Sequence, residues 1–234
     1  MKARRVDGGA VVLLSGGMDS ATSLAVARRD ESGPLRTLSL SYGQRHHREL
    51  RAARALARYF AVDEPIELTV PFAPLAPSAI TRRGLLPRDR SLQEIGKGIP
   101  ATYVPGRNTV FLALALSLAE SRRADAIYLG INAVDYSGYP DCRPEYLDAF
   151  RRLAALATAR GVEEHWTPRL VAPLLRLSKA GIVRLGERLR VPWDRTWSCY
   201  AGGARPCGRC DSCLLRARGF REAGVADPLL KDPA

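Results

Sequence analysis

Residues 10–20 read AVVLLSGGMDS, and this segment fixes the expected fold. The continuous apolar run at 10–14 is typical of a strand buried on both faces of a parallel sheet. The Ser-Gly-Gly turn after it leads into a helix predicted over 19–29. At such a junction, backbone N–H groups and the positive end of the helix dipole converge on an anion. The segment therefore predicts a phosphate-binding loop at the end of a parallel strand.

The loop differs from two common phosphate-binding patterns. It lacks the Gly-Lys-Ser/Thr ending of a Walker A motif, and it does not read Gly-x-Gly-x-x-Gly. Ser15 and Ser20 are candidate hydroxyl donors to phosphate, whereas Asp19 would repel phosphate unless a cation intervened, which favours Mg²⁺. A glycine-rich turn without any ligand is the alternative. The residues predicted to contact the nucleotide are Leu14, Ser15, Gly16, Gly17, Met18, Asp19, Ser20, Ala21, Thr22, Ser23 and Leu24.

Strands and helices alternate after this loop. The pattern predicts strands at 37–40, 65–70 and 126–130, and helices at 46–60, 108–121, 145–160 and 178–189. The helix at 108–121 is strongly apolar, so we expect it to be buried. This alternation predicts an α/β fold with a Rossmann-like, doubly wound parallel sheet. The segment 71–105 is expected to be a long loop, with one short helix near 91–95, that acts as a lid or binding segment.

The C-terminal part of the chain carries a cluster of cysteines. Cys199, Cys207, Cys210 and Cys213 offer four thiolates, a set that suits a closed, structural Zn²⁺ site. An iron–sulfur cluster is the alternative, because Cys-x2-Cys-x2-Cys also occurs in such proteins. The composition changes near Pro192, which predicts an α/β domain with the phosphate loop over 1–191 and a small zinc-binding tail over 192–234. We see no basic recognition helix with aromatic residues after the cysteines.

Composition limits the remaining classes. The chain has 234 residues, 46% of them hydrophobic, and a formal net charge of +12. It has no apolar run long enough for a bilayer and no signal-peptide pattern, so we expect a cytoplasmic protein. The positive charge is consistent with binding of RNA, or simply with binding of an anionic nucleotide and an acid substrate.

Five motifs follow one another in a fixed order. After residues 15–20 come YGQRH at 42–46, VPGRNT at 104–109, DYSGYPDCR at 135–143, and TWSCY at 196–200 with its cysteine-rich ending. Together they resemble the 7-cyano-7-deazaguanine synthase family, part of the PP-loop ATP pyrophosphatase group with its adenine nucleotide alpha hydrolase-like fold. Gly106 departs from the pattern, where Ala is expected.

The resemblance implies a reaction. The family converts 7-carboxy-7-deazaguanine, ammonia and ATP to the nitrile through an adenylated acid and an adenylated amide, with Mg²⁺ offsetting phosphate charge. It also implies a homodimer that acts on small molecules without a stable nucleic acid partner. The expected catalytic residues are Ser15, Asp19, Ser20 and Lys179. The expected substrate-binding residues are Tyr42, Gln44, Arg107, Asp135, Tyr139, Asp141 and Arg143. Cys142 is interpreted as a pocket or structural thiol, because no partner base is evident.

Three other functions are consistent with the same sequence features. A PP-loop enzyme that modifies tRNA would use the basic surface to hold RNA. A relative could activate the same acid and join it to another amine, such as one on a protein. A zinc-binding protein without activity is the third, although the intact loop at 15–20 speaks against it.

Overall fold

The structure is a computed structural model that describes residues 8–44, 47–72, 74–76, 78–81, 86–95, 97–132 and 139–230. These residues form a parallel sheet of five strands in the order β3-β2-β1-β4-β5. The strands are β1 (Ala10–Leu13), β2 (Leu35–Ser41), β3 (Glu64–Thr69), β4 (Ala126–Tyr128) and β5 (Arg169–Val171). The predicted doubly wound α/β fold is confirmed.

The first strand lies at the centre of this sheet. Ala10 of β1 pairs with Leu35 of β2 on one side and with Ala126 of β4 on the other. The chain builds outward from β1 to β3 and then returns to add β4 and β5 on the opposite side. The strand order reverses between β1 and β4, and ligands of open α/β sheets bind at the carboxyl ends of strands at such a point. The glycine-rich loop follows β1 at this edge.

Helices cover both faces of the sheet. They are α1 (Met18–Asp30), α2 (Arg48–Tyr59), α3 (Leu92–Ile95), α4 (Arg107–Ser121), α5 (Pro144–Ala157), α6 (Ala159–Glu164), α7 (Lys179–Arg188) and α8 (Asp211–Ala223). One core lies beneath α1, α2, α7 and α8, where Val12, Leu24 and Ile182 are fully buried. The other lies beneath α4 and α5 and contains Val11 and Leu112. Each face of β1 is thus covered by a separate apolar layer.

The structure corrects several predicted elements. The helix expected over 145–160 is two helices, because Thr158 adopts an extended conformation and its hydroxyl accepts a 3.0 Å hydrogen bond from Gly161 N to cap α6. Strand β5 was not predicted, since only three residues form it. The helix at 108–121 is buried on one side only, and Val110 is exposed. Gly106, directly before α4, has φ +67°, a left-handed value that favours glycine over alanine.

Helix α8 was also missing from the sequence analysis. It follows the cysteines and carries several arginines, but it is not an exposed recognition helix. Phe220 packs in the main core, with its ring centroid 5.3 Å from that of Trp193. The division at residue 192 stays a prediction; in the structure, the segment after it shares a core with α1 and α7.

A buried ion pair anchors α8. Arg216 Nε donates to Asp227 Oδ2 at 2.7 Å, and its Nη1 donates to Thr196 Oγ1 at 2.7 Å. The side chains of Arg216 and Asp227 are only 2% and 5% exposed. Removal of one partner from such a pair leaves an uncompensated buried charge, which costs about 3–5 kcal/mol.

We therefore expect Asp227→Asn to lower the free energy of unfolding by about 3–5 kcal/mol, measured by urea denaturation. Asp30→Asn is the matched control, because the Arg29–Asp30 pair is 54% and 39% exposed and exposed pairs contribute about 1 kcal/mol or less. Similar losses in both variants would contradict a special role for the buried pair.

Candidate active site

The glycine-rich loop joins β1 to α1 at the switch point of the sheet. Gly16 has φ +88°, and a Cβ built there would lie 2.3 Å from the backbone oxygen of Glu49. Only glycine fits, because the first turn of α2 packs directly on the loop. Gly17 is the N-cap of α1 and provides no side-chain cap. The first N–H groups of α1 are therefore available to a ligand at the cavity that this loop lines.

Two serines shape the loop. The Oγ atoms of Ser15 and Ser20 lie 3.1 Å apart, and Ser20 Oγ also donates to Gly17 O at 3.1 Å. Gly17 N is 3.4 Å from Ser15 Oγ. Both hydroxyl groups lie beside the open helix end, where they can reorient toward phosphate oxygens.

Asp19 and Lys179 form an ion pair across the loop. Lys179 Nζ donates to Asp19 Oδ2 at 2.5 Å. Lys179 is the first residue of α7, which is capped by a 3.1 Å hydrogen bond that Gly181 N donates to Ser178 Oγ. The other oxygen, Asp19 Oδ1, is buried and has no hydrogen-bond partner among the described residues. A buried carboxylate oxygen without a partner beside a phosphate loop fits a ligand to Mg²⁺.

The loop opens into a cavity of about 280 Å³. Leu14, Ser15 and residues 17–20 line one end, together with Lys179. The rest of the wall includes many aromatic and polar side chains beyond the loop: Tyr42, Glu49, Arg107, Asn108, Phe111, Asn132, Tyr139, Cys142, Trp197, Ser198, Tyr200, Ser212 and Arg216. A nucleotide phosphate and a flat polar ligand can thus lie in one continuous space.

Arg107 is a cationic group of the wall beyond the loop, and it contacts aromatic side chains. Its guanidinium carbon lies 5.5 Å from the ring centroid of Tyr42, and its Nη1 is 3.5 Å from the Tyr42 hydroxyl. No carboxylate of the described residues lies within ion-pair distance of it. Burial raises the pKa of Tyr42 to about 12, although Arg107 opposes this, so the phenol stays protonated. Arg107 is therefore free to bind an anion.

Glu49 was missed by the sequence analysis. It lies in the first turn of α2 and lines the same cavity. Burial raises the pKa of Glu49 to about 7, against the attraction of Arg107. The only sequence signal is its position just after YGQRH, and an acidic residue there is usually explained by the helix dipole.

The C-terminal segment supplies other residues that sequence reasoning missed. Trp197, Ser198 and Tyr200 line the cavity. Trp197 N donates to Gly16 O at 2.8 Å, which ties this segment to the phosphate loop. The TWSCY motif at 196–200 is the sequence signal for these residues.

Some predicted site residues lie elsewhere. Gln44 turns back on its own loop, accepting from Tyr42 N at 2.7 Å. Asp141 accepts from Asn108 N at 3.2 Å, and the exposed Arg143 donates to Pro140 O at 3.2 Å. Asp141 and Arg143 line a separate surface cavity instead of the one at the loop. Asp135 lies outside the described residues.

Of the remaining predicted residues, some line the main cavity and others do not. Tyr139 lines the main cavity, with its hydroxyl 3.0 Å from Thr102 Oγ1. Gly16 packs against α2 instead of lining the cavity. The residues at positions 21–24 are buried in α1 and do not line it, because the helix carries them away from its N-terminus: Ala21, Thr22, Ser23 and Leu24.

Cys142 sits in the cavity wall as a thiol. Asn108 Nδ2 donates to its Sγ at 3.3 Å, and burial raises its pKa to about 12. A thiol with so high a pKa is a poor nucleophile, which supports a pocket or structural role.

The four clustered cysteines are placed to hold one metal ion. The Sγ atoms of Cys199, Cys207, Cys210 and Cys213 all lie within 4.8 Å of one another. Cys207 N and Ala201 N lie 3.3 Å and 3.4 Å from Cys199 Sγ, an arrangement that stabilises a thiolate. Tetrahedral zinc with bonds of about 2.3 Å needs sulfur atoms roughly 3.8 Å apart. The set fits a closed zinc site, with Cys210 as the N-cap of α8.

Among the residues that the structure describes, every helix is too short or too polar to span a bilayer.

Comparison with known proteins gives consistent results. The family model described as "Queuosine biosynthesis protein QueC" matches residues 9–224. A protein named 7-cyano-7-deazaguanine synthase from Solidesulfovibrio magneticus is 53% identical over 227 residues, 96% of each chain. One of the same name from Synechococcus elongatus is 56% identical over 223 residues, 93% of each chain. Among solved structures, NMN synthetase from Francisella tularensis has a TM-score of 0.47 and 16% identity, covering 94% of this chain and 74% of its own.

The cysteine cluster generates a prediction about the metal. Elemental analysis should find about one zinc per chain, and Cys210→Ser should remove most of it and lower the melting temperature, because metal binding contributes to folding. Cys142→Ser is the matched control and should keep its zinc. Iron with visible charge-transfer absorption would show that zinc is the wrong metal.

Proposed function

This chain belongs to the QueC family of queuosine biosynthesis proteins, and we propose that it converts 7-carboxy-7-deazaguanine and ammonia to 7-cyano-7-deazaguanine, using ATP. Relatives that align over nearly the whole chain are named 7-cyano-7-deazaguanine synthase, which supports an enzyme that forms C–N bonds. The observation that carries the proposal is the single cavity that joins the phosphate loop to Arg107 and the aromatic wall. A small acid and a nucleotide can react there without a bound RNA.

The first step is activation of the acid. A carboxylate oxygen attacks the α-phosphorus of ATP, and pyrophosphate leaves. The N–H groups at the start of α1, with Ser15 and Ser20, bind the phosphate groups. Lys179 lies next to Asp19 and offsets the negative charge that develops on pyrophosphate. Asp19 is the residue that would hold Mg²⁺, which when bound neutralises phosphate charge.

The second and third steps form the nitrile. Ammonia attacks the acyl carbon and AMP leaves, which gives the primary amide. Its oxygen then attacks the α-phosphorus of a second ATP and pyrophosphate leaves, and loss of AMP and of both amide N–H protons gives the nitrile. Arg107 orients the acid or amide group in both activations, with Tyr42 packed beneath its guanidinium. The four cysteines would hold a structural Zn²⁺ outside this chemistry.

The alternative functions are not favoured. Both relatives named above are 7-cyano-7-deazaguanine synthases and align over nearly their whole length. Transfer of the acid to a protein amine or modification of tRNA has no such support.

Assembly and location form part of the proposal. Helices α4 and α5 present exposed apolar side chains, including Val110, Leu153 and Leu156, the last of them 81% exposed. We propose a homodimer, and these exposed side chains are candidate contacts between the two copies. We propose a cytoplasmic location, because a set of four free thiols persists in a reducing compartment.

The product identifies the activity. We expect mass spectrometry after incubation with ATP, Mg²⁺, ammonium and 7-carboxy-7-deazaguanine to show the nitrile, with AMP and pyrophosphate as by-products. Accumulation of the amide alone, a mass increase of the protein, or no consumption of the acid would each contradict the proposal.

The ion pair at the loop gives a second test. Asp19→Asn and Lys179→Met should each lower pyrophosphate release by about 10²–10³, because each removes a preorganised charge at the reacting phosphates. Arg188→Met, at the other end of α7, is the control and should keep normal turnover. Near-normal rates in both the Asp19 and the Lys179 variant would show that these residues are not catalytic.

A further inference from the structure

Glu49 is an acidic side chain of the cavity without a direct partner among the residues that the structure describes. The described part of the cavity wall contains two acidic residues, Asp19 and Glu49. Asp19 is paired with Lys179. Glu49, by contrast, has no hydrogen bond or ion pair to any residue that the structure describes, and Arg107 acts on it only through space.

The fold fixes the place of this carboxylate. The first turn of α2 packs so closely on the loop that a Cβ at Gly16 would lie 2.3 Å from Glu49 O and 2.8 Å from Ala53 N. The guanidinium of the preceding residue, Arg48, stacks 4.9 Å from the ring centroid of Trp197. Glu49 is therefore carried on a helix turn whose backbone is packed against the loop, as a recognition group requires.

An ionised carboxylate at a partly buried site is unfavourable unless hydrogen-bond donors satisfy it. The carboxylate accepts hydrogen bonds and donates none, so the group that completes the site is a hydrogen-bond donor, such as N–H. A 2-amino-4-oxopyrimidine ring has two such groups side by side, the ring N–H and the amino group. A carboxylate can accept from both at once, as it does from the two N–H groups of a guanidinium.

We propose that Glu49 determines specificity for the base: it accepts the ring N–H and the 2-amino group of the acid substrate, while Arg107 binds the carboxylate. This inference rests on the proposed function, since it takes the deazaguanine acid as the ligand. The two groups of the cavity that lack close ion-pair partners among the described residues thus serve the two polar ends of one substrate, and aromatic side chains that line the same cavity contact its flat faces.

A comparison of two acids tests this assignment. One is 7-carboxy-7-deazaguanine, and the other is the same molecule without its 2-amino group. In the wild-type enzyme, the second compound should have a KM higher by roughly 10- to 100-fold, which is the value of a hydrogen bond to a charged group. Glu49→Gln should raise the KM of the first compound by a similar factor and that of the second compound much less, with the KM of ATP unchanged.

Glu163→Gln is the matched control, because Glu163 is exposed on α6 and does not line the cavity. Retained zinc and melting temperature establish that Glu49→Gln is folded, and Glu49→Asp gives the same comparison where the glutamine variant is too slow to assay. Equal losses on both compounds, or a lower kcat with unchanged KM, would overturn the assignment and indicate a role in the reaction with ammonia. A wild-type enzyme that consumes neither acid contradicts the proposed function itself, whereas one that uses both with equal KM contradicts only this inference.

Discussion

The close approach of helix α2 to Gly16 is the constraint on which the site depends. The loop can adopt its left-handed turn only without a side chain at this position, and the same absence lets the backbone of Glu49 pack against it. Trp197 N–H binds the carbonyl of Gly16 from the C-terminal segment. Three distant parts of the chain thus meet at one glycine. Because the contacts are made by backbone atoms, they hold the phosphate loop, the start of α2 and the segment at Trp197 in fixed positions relative to one another.

The charges around the cavity fall into two kinds. Asp19 and Lys179 satisfy each other at the phosphate end, so the loop is close to neutral before a nucleotide binds. Glu49 and Arg107 line the same cavity, and the described residues provide neither with a close ion-pair partner. Charged groups taken partly out of water favour a ligand that restores their hydrogen bonds. This distribution explains why one space can hold a polyphosphate and a small acid in different places.

The C-terminal segment links metal binding to the same site. Cys210 caps α8, whose Arg216 and Phe220 are buried against the α/β core. Gly219 of this helix packs so closely on α7 that a Cβ there would lie 2.8 Å from the Cβ of Lys179. The helix that begins at the cysteine cluster therefore supports a residue of the phosphate site.

The sequence by itself determined the features that depend on neighbouring residues. The apolar run before the loop, the alternation of strands and helices and the spacing of the four cysteines predicted the fold class, the phosphate loop and the metal site, because each is a local pattern. The tertiary structure alone decided which loops share the cavity. It brought Glu49 and Trp197 to the loop and placed Arg143 on a separate surface. The short strand β5 and the buried helix α8 were decided in the same way, since contacts with distant parts of the chain, and not their own few residues, stabilise them.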